Sequence, residues 1–333
     1  MKRKLVTLFM AVALLCNTLT GCTIGNTEFV WNTNTVGRNH VFSINGNRCT
    51  KEEARLYLCN FQNIYGHEYG VNLWEYDYTQ VEDGKTLADY VKAVTLSELS
   101  NIMCMQQMAQ QQELVLTDEE KQRVSQATDE YYESLSKEEI EYIGLDKLKL
   151  KSYYEKYALA KKLYMNLTQG INEEVSDDEA RVIRIQQIYV KSEEAAKQVE
   201  QKLAKGEKFD SLASNYNEAG IIETNLARGE YPKEVDEVAF RLDDGEESGM
   251  ITTDKGYYFI KCLNKFDAEL TEANKENIIV KRRKEQFEDK FTGFIEESKF
   301  ELNEEVWDSI EIDTSGTIKT DSFFAIYDKY FTD

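Results

Sequence analysis

Histidine, the side chain that most often transfers protons near neutral pH, is scarce in this chain. Of its 333 residues only two are histidines, His40 and His67, and both precede a stretch, residues 181–266, that reads as a separate mixed domain. A Gly-x-Ser-x-Gly elbow and a histidine-bearing triad are missing from the sequence, which argues against a hydrolase. With 61 Asp and Glu residues, neighbouring carboxylates are too frequent to indicate an acid-base site. Any reaction within residues 181–266 must therefore proceed without an imidazole.

One cysteine lies in a targeting context. Three basic residues precede an apolar run, residues 5–15, which has the length of a signal-peptide core and is too short to span a bilayer. The following Leu-Thr-Gly-Cys resembles a bacterial lipobox, so we expect residues 1–21 to be removed and Cys22 to be lipidated. Two acyl chains would hold the protein on the outer face of the bacterial membrane. The alternatives are an ordinary signal peptide or a short membrane anchor.

The other cysteines suggest neither a disulfide framework nor a metal site. Their spacing is irregular, and the sequence has no Cys-x-x-Cys pair or cluster of His and Cys. We therefore predict no metal and no cofactor. The disulfide status of the four stays open, although apolar neighbours favour buried thiols at the second and third of them: Cys49, Cys59, Cys104 and Cys262.

The charge of the chain restricts its partners. The net charge is −21, and removal of residues 1–21 would make it −24. Nucleic-acid binding needs clustered Lys and Arg, so we exclude it. The acidic surface favours solubility and is also compatible with attraction to basic unfolded chains.

The pattern of apolar residues divides the mature chain. Residues 22–40 read as a flexible tether and residues 41–175 as a helical domain that opens with a strand and a tight Asn45–Gly46 turn. In this domain Thr50 to Glu53 reads as a capping box that opens a helix, and Thr117 to Glu120 caps a later helix. Residues 270–312 read as a helix followed by strands at 300–302 and 310–312, packing on that helical domain. The sequence does not indicate what the aromatic tail, residues 313–333, contacts.

Residues 181–266 have a different pattern. Alternating β-branched and polar residues, short helices and glycine turns predict the element order βααβαββ. Within it, residues 233–242 are predicted to form a helix. The fold class is therefore α+β, with this mixed domain inserted in a discontinuous helical one.

Four segments of the mixed domain resemble the parvulin family of peptidyl-prolyl isomerases, and the whole chain resembles the PrsA and SurA group of extracytoplasmic foldases. Each segment is weak alone, but their order and intervals are specific. They are Arg-Ile-Gln-Gln-Ile-Tyr-Val-Lys at 184–191, Phe-Asp-Ser-Leu-Ala at 209–213, Arg-Gly-Glu-Tyr at 228–231 running to Ala-Phe-Arg-Leu at 239–242, and Gly-Tyr-Tyr-Phe-Ile at 256–260.

The resemblance implies a site for the X-Pro bond, whose rotation barrier is about 18–20 kcal/mol. In the family, two histidines and an Asp or Cys polarise this site while an apolar pocket grips the proline ring. The histidine positions fall on Gln187 and Tyr258 here, and the Asp or Cys position falls on Ala219. A structural hydrogen-bonded pair is the favoured interpretation of Gln187 and Tyr258. The resemblance also implies peptide contacts for Leu226, Tyr231, Val235, Phe240 and Thr253, although the apolar ones could equally be core residues.

Two functions follow from the resemblance. One is a membrane-anchored foldase for secreted proteins with a degenerate isomerase site, whose enzymatic activity stays open. The other is a non-catalytic chaperone that holds peptides. A solute-binding lipoprotein is a weaker alternative, because it would need repeated α/β lobes. The implied partners are unfolded or nascent secreted polypeptides and the membrane, with a homodimer as one option for assembly.

Overall fold

The computed structural model of the protein describes residues 36–69, 74 and 86–331. The predicted signal peptide, Cys22 and most of the tether lie outside the described residues. The chain divides into two compact units, one formed by residues 1–169 with 284–333 and the other by residues 170–283.

The described strands and helices are numbered in chain order. The strands are β1 (His40–Ile44), β2 (Asn47–Thr50), β3 (Val182–Val190), β4 (Glu223–Ala227), β5 (Ile251–Thr253), β6 (Gly256–Asn264) and β7 (Phe300–Leu302). The helices are α1 (Lys51–Tyr69), α2 (Leu87–Gln111), α3 (Asp118–Ser134), α4 (Lys137–Ile143), α5 (Lys147–Leu167), α6 (Asp177–Ala180), α7 (Glu193–Ala204), α8 (Phe209–Tyr216), α9 (Lys233–Ala239), α10 (Ala268–Glu296), α11 (Glu304–Asp308) and α12 (Phe323–Phe331).

The first unit is helical around a small antiparallel sheet of order β2-β1-β7. Asn45 and Gly46 both have positive φ, 50° and 86°, as a two-residue hairpin turn between β1 and β2 requires. Leu302 of β7 pairs with Phe42 of β1, so sequence-distant strands share one ladder.

Side-chain caps fix where several helices of this unit begin. Thr117 and Glu120 form a reciprocal capping box at α3, as the sequence predicts. At α1 the predicted box is only half formed. The Thr50 hydroxyl accepts a hydrogen bond from the Glu53 amide at 3.1 Å, but the Glu53 carboxylate pairs with Lys156 at 2.8 Å.

The aromatic tail completes the core of the first unit. Phe323 is fully buried and stacks on Tyr154 of α5, with ring centroids 4.2 Å apart. Phe324 lies against Phe61 of α1 at 5.1 Å. These contacts join residues far apart in sequence, which is why helical periodicity alone does not reveal them.

The predicted strand at residues 310–312 is wrong. This segment joins no ladder, and side chains bind the nearby main chain instead. The Tyr142 hydroxyl donates to the Glu311 carbonyl at 3.1 Å, and the Gln62 amide both donates to and accepts from the Asp313 main chain.

The second unit contains an antiparallel sheet of order β4-β3-β6-β5. Its element order confirms the predicted βααβαββ arrangement and the α+β class. One face of the sheet packs on α9 and the other on α7 and α8, each around its own apolar cluster. Helix α9 ends at Ala239 rather than at the predicted residue 242, with Phe240 as its C-cap.

In the described ranges, no helix combines the length and apolar character of a membrane span.

Candidate functional site

Strand pairing brings the two altered histidine positions to one face of the second unit's sheet. Gln187 of β3 lies opposite Ile260 of β6, and Tyr189 lies opposite Tyr258. Residues directly opposite in an antiparallel pair share a face, so Gln187, Tyr189 and Tyr258 are all on the face that packs on α9.

Gln187 is held by the protein on its donor side. The residue is 4% exposed, its main-chain N–H donates to the Ile222 carbonyl at 2.8 Å, and its Nε2 donates to the Ile221 carbonyl at 2.9 Å. Its Oε1 is buried, and no described group hydrogen-bonds to it within normal geometry. The Tyr231 hydroxyl is nonetheless near it: burial raises the pKa of Tyr231, and the Gln187 side chain opposes part of that rise. Gln187 thus fixes a loop and offers no titratable group.

Tyr258 belongs to a group of three tyrosines. Its ring centroid lies 4.8 Å from that of Tyr189 and 6.0 Å from that of Tyr231. Partial burial raises the pKa of the Tyr258 phenol, and the neighbouring Tyr189 and Tyr231 raise it further. The phenol therefore stays protonated at neutral pH and is a poor base. Sequence reasoning missed Tyr189, although its position two residues after Gln187 on a strand places both on one face.

Ala219 lies in the loop between α8 and β4, and its methyl group can neither donate nor accept a hydrogen bond. A polar residue of this loop, Asn217, makes several hydrogen bonds, and sequence reasoning also missed it. Asn217 Oδ1 accepts from the Tyr189 amide at 2.9 Å, and its Nδ2 donates to the carbonyls of Ala219 and Ile221 at 2.8 and 3.2 Å. Asn217 and Gln187 therefore bind the same carbonyl and hold the loop against β3.

The apolar side chains that the resemblance assigns to proline binding lie together, but they are almost completely buried. Leu226, Val235 and Phe240 are 0%, 0% and 5% exposed within one cluster, and the partly exposed Tyr231 and Tyr258 pack against it. A proline ring could touch the first three side chains only if the cluster opened. The accessible part of this site is consequently tyrosine rather than aliphatic surface.

Two arginines cover Phe240 further. The guanidinium carbons of Arg181 and Arg228 lie 5.3 and 4.3 Å from its ring centroid, within cation-π range. Thr253, by contrast, uses its hydroxyl within the β5–β6 hairpin, where it donates to the Gly256 carbonyl at 2.9 Å. The structure therefore gives Thr253 a turn-stabilising contact.

In the described ranges, no three His, Cys, Asp or Glu residues are grouped as a metal site requires. The four described cysteines are buried free thiols, and burial raises the pKa of Cys59 and of Cys104 to about 12. Such thiols are unreactive at neutral pH.

Comparisons with known proteins agree with this geometry. Residues 172–275 match the PPIC-type PPIase domain, beyond both ends of the predicted range 181–266. Foldase protein PrsA 3 of Bacillus anthracis is 32% identical over 174 residues, which cover 49% of this chain and 59% of that protein. Foldase protein PrsA of Caldanaerobacter subterraneus is 26% identical over 286 residues, which cover 78% of this chain and 82% of that protein.

A solved structure of peptidylprolyl isomerase PrsA from Bacillus cereus aligns at a TM-score of 0.40 and 21% identity, over 73% of this chain and 94% of that one. The alignment with the Bacillus anthracis relative spans less than two thirds of that relative's length. The family match and the two sequence relatives thus agree: residues 172–275 form a parvulin-type domain, and the chain is similar to PrsA foldases over a longer range.

Proposed function

We propose that this protein is an extracytoplasmic folding factor, anchored in the membrane through lipid on Cys22, that binds unfolded or nascent secreted polypeptides. In this proposal its parvulin-type domain has lost most of its isomerase activity and serves as a scaffold or peptide contact. The relatives named foldase support the general class. The lipobox-like sequence before Cys22 supports the anchor.

One observation carries the loss of activity. The two positions that hold histidines in parvulins are an amide and a phenol here, and the Gln187 amide is already bound to the Ile221 carbonyl. Rotation of an X-Pro bond is accelerated only by groups that bind the twisted amide better than the planar one. A buried neutral amide and a protonated phenol supply little such discrimination, so binding without efficient catalysis is the expected result.

Suppression of the aggregation of an unfolded client tests the proposed holding function separately from proline isomerisation. We expect the soluble mature protein, with Cys22→Ser, to suppress aggregation of reduced carboxymethylated α-lactalbumin, which cannot refold. The Gln187→Ala and Tyr258→Phe variants should suppress it equally well, because holding does not depend on the altered site. A lack of suppression with this and other unfolded clients contradicts the proposal.

A further inference from the structure

The segment that precedes β3 places a charged cover over Phe240. The Asp178 carboxylate of α6 accepts a hydrogen bond from Arg228 Nη2 at 2.9 Å, and Arg228 Nε donates to the Asp178 main-chain carbonyl at 2.9 Å. The same carboxylate lies 3.3 Å from Arg181 Nη2. Both guanidinium groups lie over the ring of Phe240, a residue that is 5% exposed. One carboxylate thus holds two cations over an apolar side chain that the resemblance assigns to proline binding.

Helix α6 gives Asp178 a fixed position. The neighbouring Asp177 pairs with Lys275 of α10 at 2.7 Å, and Asn274 Nδ2 of the same helix donates to the Ala180 carbonyl at 2.9 Å. Both contacts lie within the second unit. An arginine that leaves Asp178 can therefore return to the same acceptor.

The main chain around Arg228 is fixed as well. The Ala227 amide donates to the Glu230 carboxylate at 2.9 Å, and the Gly229 amide donates to the Asp236 carboxylate. Because these bonds flank Arg228 on both sides, its side chain can change rotamer while the loop keeps its conformation. Uncovering the ring beneath it therefore requires one side chain to move and no rearrangement of the fold.

The cover is held by interactions that are easily broken. The side chains of Asp178 and Arg228 are 74% and 35% exposed, and ion pairs this exposed contribute little and are screened by salt. Arg181 Nε is buried and hydrogen-bonds to no described group, so the covered arrangement leaves one polar atom unsatisfied. The cation-π contacts with Phe240 add only a modest attraction. A small change in free energy is therefore sufficient to move Arg228 away.

We infer that Asp178, Arg181 and Arg228 form an ionic lid over Phe240, and that Arg228 must swing away before a proline ring can contact this side chain. The inference rests on the proposed function, because it specifies how the parvulin-type domain becomes available as a peptide contact. With the lid closed the domain is a scaffold. With the lid open, Phe240 offers an aromatic surface to an Xaa-Pro segment. The lid thus selects between the two roles proposed for the domain.

Two carboxylates of one helix provide a matched test. The side chains of Asp178 and Asp177 are 74% and 70% exposed and each pairs with a basic residue, but only Asp178 holds the lid. The probe is the uncharged peptide acetyl-Ala-Phe-Pro-Ala-amide, titrated into the soluble mature protein and followed by NMR. We expect Asp178→Ala to bind it at least about threefold more tightly than wild type, because the open fraction rises. Asp177→Ala should bind it as wild type does, and Arg228→Ala should show at least the gain of Asp178→Ala.

A purely structural role of the arginines predicts a different result. Asp178→Ala and Arg228→Ala would then lower the urea midpoint and bind the peptide no more tightly than wild type, which overturns the lid. A control peptide with alanine in place of proline checks which group enters. Equal gains for the two peptides also overturn the lid, because the uncovered position would then not receive the proline ring.

Salt should open the lid in the protein without substitution at these positions. Raising NaCl from about 0.02 M to about 0.5 M should tighten binding of the uncharged peptide about threefold, because the ion pairs of Asp178 are screened. Asp178→Ala has no such pairs and should show no comparable gain. Equal salt dependence in the two proteins contradicts the lid.

The outcomes separate the lid from the proposed function. If Asp178→Ala gains no affinity while the protein suppresses aggregation of reduced carboxymethylated α-lactalbumin, the lid is wrong and the holding function stands. If the affinity rises but aggregation is not suppressed, the lid stands and the holding function is wrong. If no form of the protein binds the peptide, the lid is overturned whatever the aggregation assay shows.

Discussion

An amide or a phenol in place of an imidazole changes what a position can do to a peptide bond. An imidazole can be charged or neutral between pH 5 and 8 and offers both a donor and an acceptor. Gln187 has no titratable group, and burial and two neighbouring tyrosines hold the pKa of Tyr258 above its ordinary value. Neither residue changes protonation near neutral pH. The expected hydrogen-bonded pair does not form either, because Gln187 Nε2 donates to the Ile221 carbonyl and Gln187 Oε1 accepts from no described group.

Glu98 is the residue whose titration should be visible in stability. It lies in α2, is 2% exposed, and its Oε2 hydrogen-bonds to no described group. Burial raises its pKa from 4.5 to about 7, and Lys161 opposes part of that rise. Because the folded protein binds this proton more tightly than the unfolded chain, the stability contribution is full below pH 4.5 and is lost as pH rises to about 7.

The Glu98→Gln variant should therefore lose this pH dependence. Between pH 5 and pH 8 we expect its free energy of unfolding to fall by about 2.5 kcal/mol less than that of wild type. Urea unfolding of both proteins at the two pH values measures the difference, and other titrating groups cancel in the comparison. Identical pH slopes would show that Glu98 does not titrate in this range.

Substitutions at Cys22 and Cys16 form a matched pair that tests the lipid anchor. If Cys22 is lipidated, Cys22→Ser should release the protein from the membrane fraction and abolish incorporation of labelled fatty acid. Cys16→Ser, within the predicted signal peptide, should leave both unchanged. Membrane retention and labelling of the Cys22→Ser protein would contradict the lipobox interpretation.

The β5–β6 hairpin depends on one glycine. Gly256 has φ +146°, and a Cβ there would lie 2.7 Å from the Val190 carbonyl oxygen and 2.8 Å from the Tyr189 ring. We expect Gly256→Ala to lower the free energy of unfolding by about 2 kcal/mol or more. Gly249→Ala, where a Cβ would meet nothing within 4 Å, should change it by less than about 0.5 kcal/mol. Similar effects on the denaturation midpoint would contradict this account of the hairpin.

The elements that sequence could predict are those defined by local pattern. Alternation, helical periodicity and caps were sufficient for the βααβαββ order and for the start of α3 at Thr117. Residues 310–312 were wrongly predicted as a strand because an extended sequence does not reveal whether its partner is another strand or a side chain such as Gln62. The burial of Phe323 was not predictable for the same reason, since its partners lie in α3 and α5.

At the scale of the whole molecule, the resemblance identified the residues of the altered site but not how deeply they are buried. It located Gln187 and Tyr258 on neighbouring strands, which the pairing of β3 with β6 brings to one face. It did not indicate that Leu226 and Val235 are fully buried, because burial depends on how tightly α9 packs on the sheet. Asn217 was missed because its role depends on the conformation of a loop.

The two units suggest different contributions to folding assistance. In the helical unit, side chains of the helices hydrogen-bond to the main chain of the C-terminal tail, and Phe323 of the tail stacks on Tyr154. The parvulin-type domain keeps its sheet and core, while an amide and a phenol replace the polar groups that its relatives use. A folding factor built in this way should depend on binding more than on bond rotation.

Proline exchange in short Xaa-Pro peptides, measured with the soluble mature protein, tests the central claim most directly. We predict a kcat/KM at least about 100-fold below that of a histidine-bearing parvulin, since a lost polar catalytic group typically costs that much or more. Gln187→Ala and Tyr258→Phe should leave this low value unchanged. A kcat/KM comparable with that of the histidine-bearing enzyme, lowered by either substitution, would contradict the claim that this domain keeps the parvulin-type fold but has lost its catalytic groups.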